Sequence, residues 1–186
     1  GLGDVYKRQY FEFCSASEIP EGEEPPVNGL DIYPDYTNVV VLRTFSKAQG
    51  LAGLRVGYSI SHPEITQYLR VAATPFAVTS LAEEAAIASV KHHDVVMDRV
   101  RHLVSERERV KKALEDLGWW IPETRANFVW LALGEHSPEF ARRAEEVALS
   151  VRAFGTEGVR VSIGEDEANT RFISLCQNFE HGPKKP

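Results

Sequence analysis

The sequence has little cysteine, no excess of positive charge and no long hydrophobic run. Its two cysteines, Cys14 and Cys176, cannot build a disulfide framework, and two reduced thiols are typical of a cytoplasmic protein. The net charge of −6 in 186 residues argues against non-specific binding to nucleic acid or to an anionic membrane. No apolar run approaches the roughly 20 residues of a membrane span, and no signal-peptide pattern opens the chain. These absences predict a cytoplasmic protein without nucleic-acid or membrane partners.

Two common kinds of site are also missing from the sequence. No GxxxxGK[ST] spacing is present, which excludes a P-loop. His92, His93 and His102 are close together, but neither an HExxH motif nor partner cysteines accompany them. We therefore expect these three side chains to be surface histidines of a helix and predict no metal site.

The most informative segment covers residues 39–58. It begins as a continuous apolar, β-branched run, which predicts a strand buried on both faces. The strand leads into a polar turn with Thr44, Ser46 and Lys47, and three glycines then surround Arg55. Because an unpaired buried ammonium is costly, a lysine delivered into such a turn indicates chemistry rather than stability.

A lysine whose pKa is lowered by burial and by a nearby cation is the usual nucleophile for Schiff-base chemistry. Hydroxyl groups and a guanidinium suit a phosphate, and glycines let the backbone approach it closely. One lysine beside a phosphate cradle is what pyridoxal 5'-phosphate requires. On the pattern alone, a surface turn with Lys47 and Arg55 merely solvated remains an alternative.

The same residues resemble a known family. Thr-Phe-Ser-Lys-Ala at 44–48, followed by Gly-Leu-Ala-Gly-Leu-Arg-Val-Gly at 50–57, is similar to the pyridoxal-phosphate lysine motif of fold-type I aminotransferases. The resemblance is strongest to histidinol-phosphate aminotransferases and to the actinobacterial aromatic amino acid (phenylalanine) aminotransferases. It extends from residue 10 to about residue 172 and disfavours the surface turn. Further segments match in order at residues 10–13, 75–80, 126–130 and 158–164.

The resemblance implies an α/β fold, namely the C-terminal part of a fold-type I pyridoxal-phosphate-dependent transferase. Residues 10–92 would then be the C-terminal part of the large cofactor-binding domain, with its mixed sheet. Residues 93–118 would be a connecting helix, and residues 119–186 a small α+β domain. Residues 1–9 do not continue the family pattern, so we interpret them as a non-native leader and exclude them from the fold.

The start of the chain departs from the family at one functional position. In relatives an Asp-Glu-Ala precedes the tyrosine, and that aspartate pairs with the pyridine nitrogen of the cofactor. Here Lys7, Arg8 and Gln9 precede Tyr10. We therefore interpret the chain as a C-terminal fragment and expect it to be poorly active by itself.

The resemblance also implies roles for individual residues. Lys47 would carry the cofactor and act as the catalytic base, while Thr44, Ser46 and Arg55 would hold its phosphate. The hydroxyl of Tyr10 would contact the phenolic oxygen of the cofactor; the alternative is a core aromatic at a strand edge.

Substrate-binding residues are expected in the last third of the chain. Arg160 lies in the apolar run Gly-Val-Arg-Val-Ser-Ile-Gly, where an unpaired guanidinium would be costly and a substrate carboxylate would relieve the cost. The family binds the substrate α-carboxylate here; the alternative is an ion pair with a buried acid. Arg152 is either a contact to the distal end of the substrate or a surface residue. Asn127 either ties down a strand start or lies near the substrate.

Phe76 is the residue that bears on the substrate. Its presence in place of Tyr-Asn favours the aromatic branch, although simple core packing explains it equally well. The resemblance implies an aminotransferase that moves an amino group between a phenylalanine-like amino acid and a 2-oxo acid, working as a homodimer. Histidinol-phosphate transamination is the alternative within the enzymes, and a catalytically inactive binding module is the alternative outside them.

Periodicity and turn signals predict the elements along the chain. Strands are expected at 10–13, 39–43, 56–61, 119–121, 128–133, 151–154 and 159–163. Helices are expected from Pro63, at 81–90 after a cap by Thr79 or Ser80, at 94–117 and at 138–149, with an irregular connection at 29–36.

Overall fold

The structure, a computed structural model, describes residues 4–7, 10–15, 19, 22, 24–25 and 27–184. The chain forms two compact units, Gly1–Val100 and Arg101–Pro186, and the boundary lies inside a long helix. Within the described part of the chain, no helix combines the length and hydrophobicity that a membrane crossing needs. The predicted assignment of residues 10–92, 93–118 and 119–186 to domains of a whole enzyme stays a prediction.

The first unit contains a three-stranded mixed sheet in the order β1-β2-β3, with β1 parallel and β3 antiparallel to the central β2. Its strands are β1 (Asp4–Lys7), β2 (Val39–Thr44) and β3 (Gly57–Ser61). Its helices are α1 (Phe11–Ser15), α2 (Gly29–Ile32), α3 (Pro63–Ala72), α4 (Ser80–Lys91) and the first part of α5 (His93–Asp116). Short 3-10 turns at Tyr33–Asp35 and Ala52–Leu54 complete it.

Two predictions at the start of the chain were wrong. Asp4–Lys7 pairs in parallel with β2, with Asp4 opposite Val39, so excluding the first nine residues from the fold was an error for this segment. The origin of residues 1–9 stays a prediction, and residues 1–3, 8 and 9 lie outside the described residues. The predicted strand at 10–13 is the start of helix α1. Its four-residue alternation is too short to separate strand from helix, and contacts of Phe11 and Glu12 with Arg43 belong to the helix.

The central strand differs from its prediction in burial. Val39, Val41 and Arg43 are buried, whereas the alternate residues are partly exposed, so only one face is fully covered. The helix starts agree with the capping rules: Pro63 occupies the first turn of α3, and the Thr79 hydroxyl accepts a hydrogen bond from the backbone N–H of Ala82 at 3.2 Å.

The second unit contains an antiparallel sheet in the order β4-β6-β5, built from β4 (Phe128–Leu131), β5 (Arg152–Phe154) and β6 (Gly158–Ser162). The end of α5, α6 (Ser137–Glu146) and α7 (Asp166–Gln177) accompany the sheet. Apolar side chains from the sheet and from all three helices form one core, as expected for a small α+β layer. Its fully buried members include Val110, Leu114, Val129, Leu131, Phe140 and Val159.

The predicted strand at 119–121 does not form. Helix α5 ends at Gly118, which has a φ of +79°. The N–H of Trp119 donates a hydrogen bond to the Leu114 carbonyl of that helix at 3.0 Å. The N–H of Trp120 donates to the Pro183 carbonyl at 2.8 Å, so neither N–H is free for a sheet ladder. Apolar spacing alone could not reveal that these N–H groups have other partners.

Helix α7 was missed by the sequence analysis, although its signal is present. Asn169, Phe172, Leu175 and Cys176 are buried at helical spacing on one side of the helix.

Candidate functional site

The loop that carries Lys47 folds back on itself between β2 and β3. The N–H of Phe45 donates to the Val56 carbonyl at 3.2 Å, and the N–H of Leu51 donates to the Phe45 carbonyl at 2.8 Å. The N–H of Gly50, at φ +69, donates to the Lys47 carbonyl at 3.0 Å. These bonds fix the backbone on both sides of the lysine.

Helix α4 packs against this loop. Phe45, Val56 and the fully buried Ala82 of α4 form a small core, against which Leu51 and Leu54 pack. Phe45 is buried in this core, whereas Ser46 and Lys47 are partly exposed and line a pocket.

This pocket has a volume of about 690 Å³. Its lining residues include three with cationic side chains and four with hydroxyl side chains, from the loop and the strands, and none with a carboxylate. This composition suits an anionic ligand. The lining residues are Leu42, Arg43, Thr44, Ser46, Lys47, Ala52, Arg55, Gly57, Tyr58 and Ser59.

Arg55 has an unusual backbone. Its φ of 55° and ψ of 43° are left-handed, a conformation in which a non-glycine residue is strained. One guanidinium nitrogen donates to the Ala52 carbonyl at 2.7 Å, and the side chain is otherwise exposed in the pocket. Strained residues cluster at functional sites, so this conformation is consistent with a ligand contact by Arg55.

The remaining predicted residues of the first unit lie close to Lys47. The backbone N–H of Ser46 donates to the Thr44 hydroxyl at 3.1 Å, which fixes the turn just before the lysine. The Lys47 amine lies 5.3 Å from the centre of the Tyr10 ring. The structure thus brings together Tyr10, Thr44, Ser46, Lys47 and Arg55 within one unit.

In the second unit Arg160 and Arg152 are directly opposite each other on neighbouring strands. The Arg160 guanidinium lies 5.4 Å from the centre of the Phe128 ring and 6.0 Å from that of Phe154. The Arg152 guanidinium lies 5.0 Å from the Phe154 ring. Like charges that face each other across strands are unfavourable unless an anion joins them.

Among the described residues, no salt bridge involves either arginine. The alternative that Arg160 pairs with a buried acid therefore finds no support in this part of the chain. Asn127 takes part through its backbone: its carbonyl accepts a hydrogen bond from the Ile163 N–H at 2.9 Å, just beyond β6. A substrate contact by its partly exposed side chain stays a prediction.

Two further residues correct or extend the sequence analysis. Phe76 is fully exposed, with φ +57, so the alternative that it packs in a core was wrong. Ser59 lines the pocket and was not predicted; the antiparallel register pairs it with Leu42, two residues before Thr44 on the same face of the sheet. In the described residues no cluster of three or more His, Cys, Asp or Glu side chains could hold a metal ion.

A buried polar network in the second unit was also missed. The Glu106 carboxylate accepts hydrogen bonds from Arg109 at 2.7 and 2.8 Å and from the Asn169 amide at 3.0 Å. The bonds from Arg109, with that from Asn169, lower the pKa of Glu106 from 4.5 to about 2, although burial opposes the change. The sequence gives no sign of this pairing because Glu106 and Asn169 are 63 residues apart.

Comparison with known proteins identifies the family. The family model of aminotransferase class I and II matches residues 6–174. An aromatic amino acid aminotransferase of Streptomyces avermitilis is 47% identical over 175 residues, which are 94% of this chain and 47% of the relative. The protein of the same name from Mycolicibacterium paratuberculosis is 51% identical over 149 residues, 80% of this chain and 42% of the relative. The chain thus spans about half the length of the curated relatives it matches.

Solved structures share the fold. A putative histidinol-phosphate aminotransferase from Erwinia carotovora atroseptica superposes with a TM-score of 0.80 at 22% identity, over 94% of this chain and 50% of that one. A histidinol-phosphate aminotransferase from Sinorhizobium meliloti, solved in complex with pyridoxal-5'-phosphate, has a TM-score of 0.76 at 22% identity, over 94% of this chain and 47% of that one. The aminotransferase class I and II family depends on pyridoxal phosphate. With the family model covering nearly all of its length, this chain belongs to the aminotransferase class I and II family.

Proposed function

We propose that this chain contributes the lysine and the phosphate-binding groups of a pyridoxal-phosphate aminotransferase that acts on aromatic amino acids. The observation that carries the proposal is that Thr44, Ser46, Lys47 and Arg55 line the same pocket. A lining with cationic and hydroxyl side chains and no carboxylate matches a phosphate, and the amine of Lys47 matches an aldehyde. The residues present therefore fit pyridoxal 5'-phosphate.

The residues predicted to hold the cofactor have separate roles in this proposal. When bound, the cofactor supplies an aldehyde that captures amino groups and a ring that accepts electrons. The Lys47 amine would be the attachment point of the cofactor, and as a free amine it would be the general base for the proton at the substrate Cα. Arg55 and the hydroxyls of Thr44 and Ser46 would hold the phosphate, and the Tyr10 hydroxyl would contact the phenolic oxygen of the cofactor.

In the second unit, Arg160 and its neighbours are the residues proposed to bind the substrate. Arg160 binds the α-carboxylate, because its guanidinium has no acidic partner among the described residues and gains a bidentate ion pair from the substrate. Asn127 lies near the substrate, and the rings of Phe128 and Phe154 beside Arg160 offer an apolar surface to an aromatic side chain.

Relatives favour an aromatic substrate over a phosphorylated one. The curated proteins at 45–51% identity are named aromatic amino acid aminotransferases. Histidinol phosphate is the second candidate, and the observation in its favour is Arg152, a second cation opposite Arg160 that suits a distal phosphate. A catalytically inactive binding module remains the alternative outside enzymes, since the position of the aspartate of relatives is occupied by other residues here.

The cofactor assignment is tested on the complete product of the gene. Incubation with pyridoxal phosphate followed by borohydride reduction should attach a pyridoxyl group to Lys47, located by peptide mapping. Lys47→Ala should abolish the label and the transamination, whereas Lys91→Ala, at an exposed lysine of α4, should change neither. A label on another side chain, or no yellow chromophore in the unreduced protein, would refute the proposal.

The substrate assignment needs a second assay. With glutamate as amino donor, we expect higher kcat/KM for phenylpyruvate than for imidazole-acetol phosphate. A strong preference for the phosphorylated acceptor would transfer the assignment to the histidinol-phosphate branch. We also propose that the complete protein is a homodimer in the cytoplasm without nucleic-acid or membrane partners. Light scattering on the complete protein would test its oligomeric state.

A further inference from the structure

We propose that Asn169 is a positioning residue for substrate binding: its side chain clamps the end of β6 and thereby fixes the strand that carries Arg160. The inference rests on the proposed role of Arg160. It goes further because it assigns a function to a residue that contacts neither cofactor nor substrate.

The clamp joins a side-chain amide to a backbone segment. Asn169 lies on α7 with only 3% of its surface exposed. Its Oδ1 accepts a hydrogen bond from the Gly164 N–H at 3.0 Å, and its Nδ2 donates to the Gly164 carbonyl at 3.1 Å. Gly164 is the second residue after β6, so this pair of bonds holds the point where the strand leaves the sheet.

A charged group anchors the clamp on its other side. Asn169 Nδ2 also donates to Glu106 of α5 at 3.0 Å, and Glu106 is held by two hydrogen bonds from Arg109. The amide therefore uses both of its donors and its acceptor. A buried polar network in which each member is satisfied is rigid, because any shift would leave a buried group without its partner.

A second bond links the clamped segment to the neighbouring strand. The Ile163 N–H donates to the Asn127 carbonyl at 2.9 Å, so the residues on both sides of the exit from β6 are tied down. Arg160 lies three residues before Ile163, on the central strand of the sheet. Because its guanidinium has only ring contacts in the described residues, its position depends on where the strand is held.

A role in stability alone is the competing explanation, since buried polar networks commonly stabilise folds. The two roles differ in their coupling to Arg160. If Asn169 acts through Arg160, its removal should weaken binding of the amino acid only while Arg160 is present. A loss of general stability would act in both backgrounds.

The experiment is a double-mutant cycle on the complete gene product loaded with pyridoxal phosphate. We expect Asn169→Ala to raise KM for the aromatic amino acid about tenfold, because a displacement of a binding group by about 1 Å is costly. In the Arg160→Ala background the same change should alter KM less than about twofold. Binding of pyridoxal phosphate, followed by absorbance, should stay unchanged in both backgrounds.

The matched control is Asn178→Ala, at an exposed asparagine after the same helix whose amide bonds only the Ser174 carbonyl, and KM should not change. If Asn169→Ala does not fold, Asn169→Asp replaces it. This variant keeps the volume and the acceptor but loses both donors, and the same cycle applies. An equal rise in KM in both backgrounds, or no rise in the parent, would overturn the clamp. A normal KM in Arg160→Ala alone would instead overturn the proposed role of Arg160.

Discussion

Replacing Glu106 by glutamine should destabilise the second unit in a way that depends on pH. The carboxylate is nearly buried and accepts hydrogen bonds from Arg109 and Asn169. A fall in its pKa from 4.5 to about 2 corresponds to about 3 kcal/mol in favour of the charged form in the folded chain. Because the side chain of Arg109 is 43% exposed, solvent screening weakens this interaction, and we expect Glu106→Gln to cost about 1–3 kcal/mol at neutral pH.

The sign of the pH dependence follows from the direction of the change in pKa. The pKa of Glu106 is lower in the folded than in the unfolded chain, so its stabilisation is complete above pH 4.5 and is lost as the pH falls towards 2. Protonated Glu106 resembles glutamine. The difference in free energy of unfolding between the parent and Glu106→Gln should therefore shrink over this range, while the titration of other acids cancels in the comparison.

Urea unfolding followed by the fluorescence of the buried Trp119 measures this difference at a series of pH values. Glu146→Gln is the control, because Glu146 pairs with Arg142 at the surface, where both side chains are about 60% exposed. Its loss should cost less than about 0.5 kcal/mol. The reasoning would be refuted if Glu106→Gln were no more costly than Glu146→Gln, or if its cost did not change between neutral pH and about pH 2.

Two further outcomes are expected. Gly158→Ala should lower the free energy of unfolding by about 1–3 kcal/mol in urea titrations, because a Cβ there would collide with the Leu131 carbonyl across the sheet. Gly53→Ala, with open space around its Cβ position, should cost less, and equal costs would contradict this argument. A thiol reagent should label Cys14 in the folded protein but Cys176 only after denaturation, because burial excludes the reagent and raises the pKa of the Cys176 thiol. Mass spectrometry measures the labelling rate of each cysteine, and equal rates for Cys14 and Cys176 in the folded protein would be inconsistent with that burial.

Much of the candidate site could be predicted because its groups are close in the sequence. One strand-loop-strand segment contains Thr44, Ser46, Lys47 and Arg55. Its local pattern of hydroxyl, lysine, glycine and arginine residues supplies the chemical groups proposed to bind the cofactor. The structure adds that a single pocket gathers them. It also adds the left-handed backbone of Arg55, which sequence patterns do not reveal for a non-glycine residue.

Long helices were predicted well for a similar reason. The apolar stripe of α5 repeats over many turns, and the glycine after it marks the end, so the observed range His93–Asp116 differs little from residues 94–117. Short segments were predicted poorly. The four residues at 10–13 and the three at 119–121 have too few periods to separate helix, strand and coil.

The sequence by itself therefore determined the chemical groups of the pocket, the long helices and the family, since each depends on residues within a few turns or on a contiguous motif. Only the tertiary structure decided that residues 11–15 form a helix in contact with Arg43. It also decided that the N–H groups of Trp119 and Trp120 donate to partners outside a sheet, and that Asn169 hydrogen-bonds to both Gly164 and Glu106. These outcomes depend on partners that are distant in the chain. Hydrogen bonds of buried groups are satisfied by whichever donor or acceptor the fold brings near, and no local pattern specifies that partner.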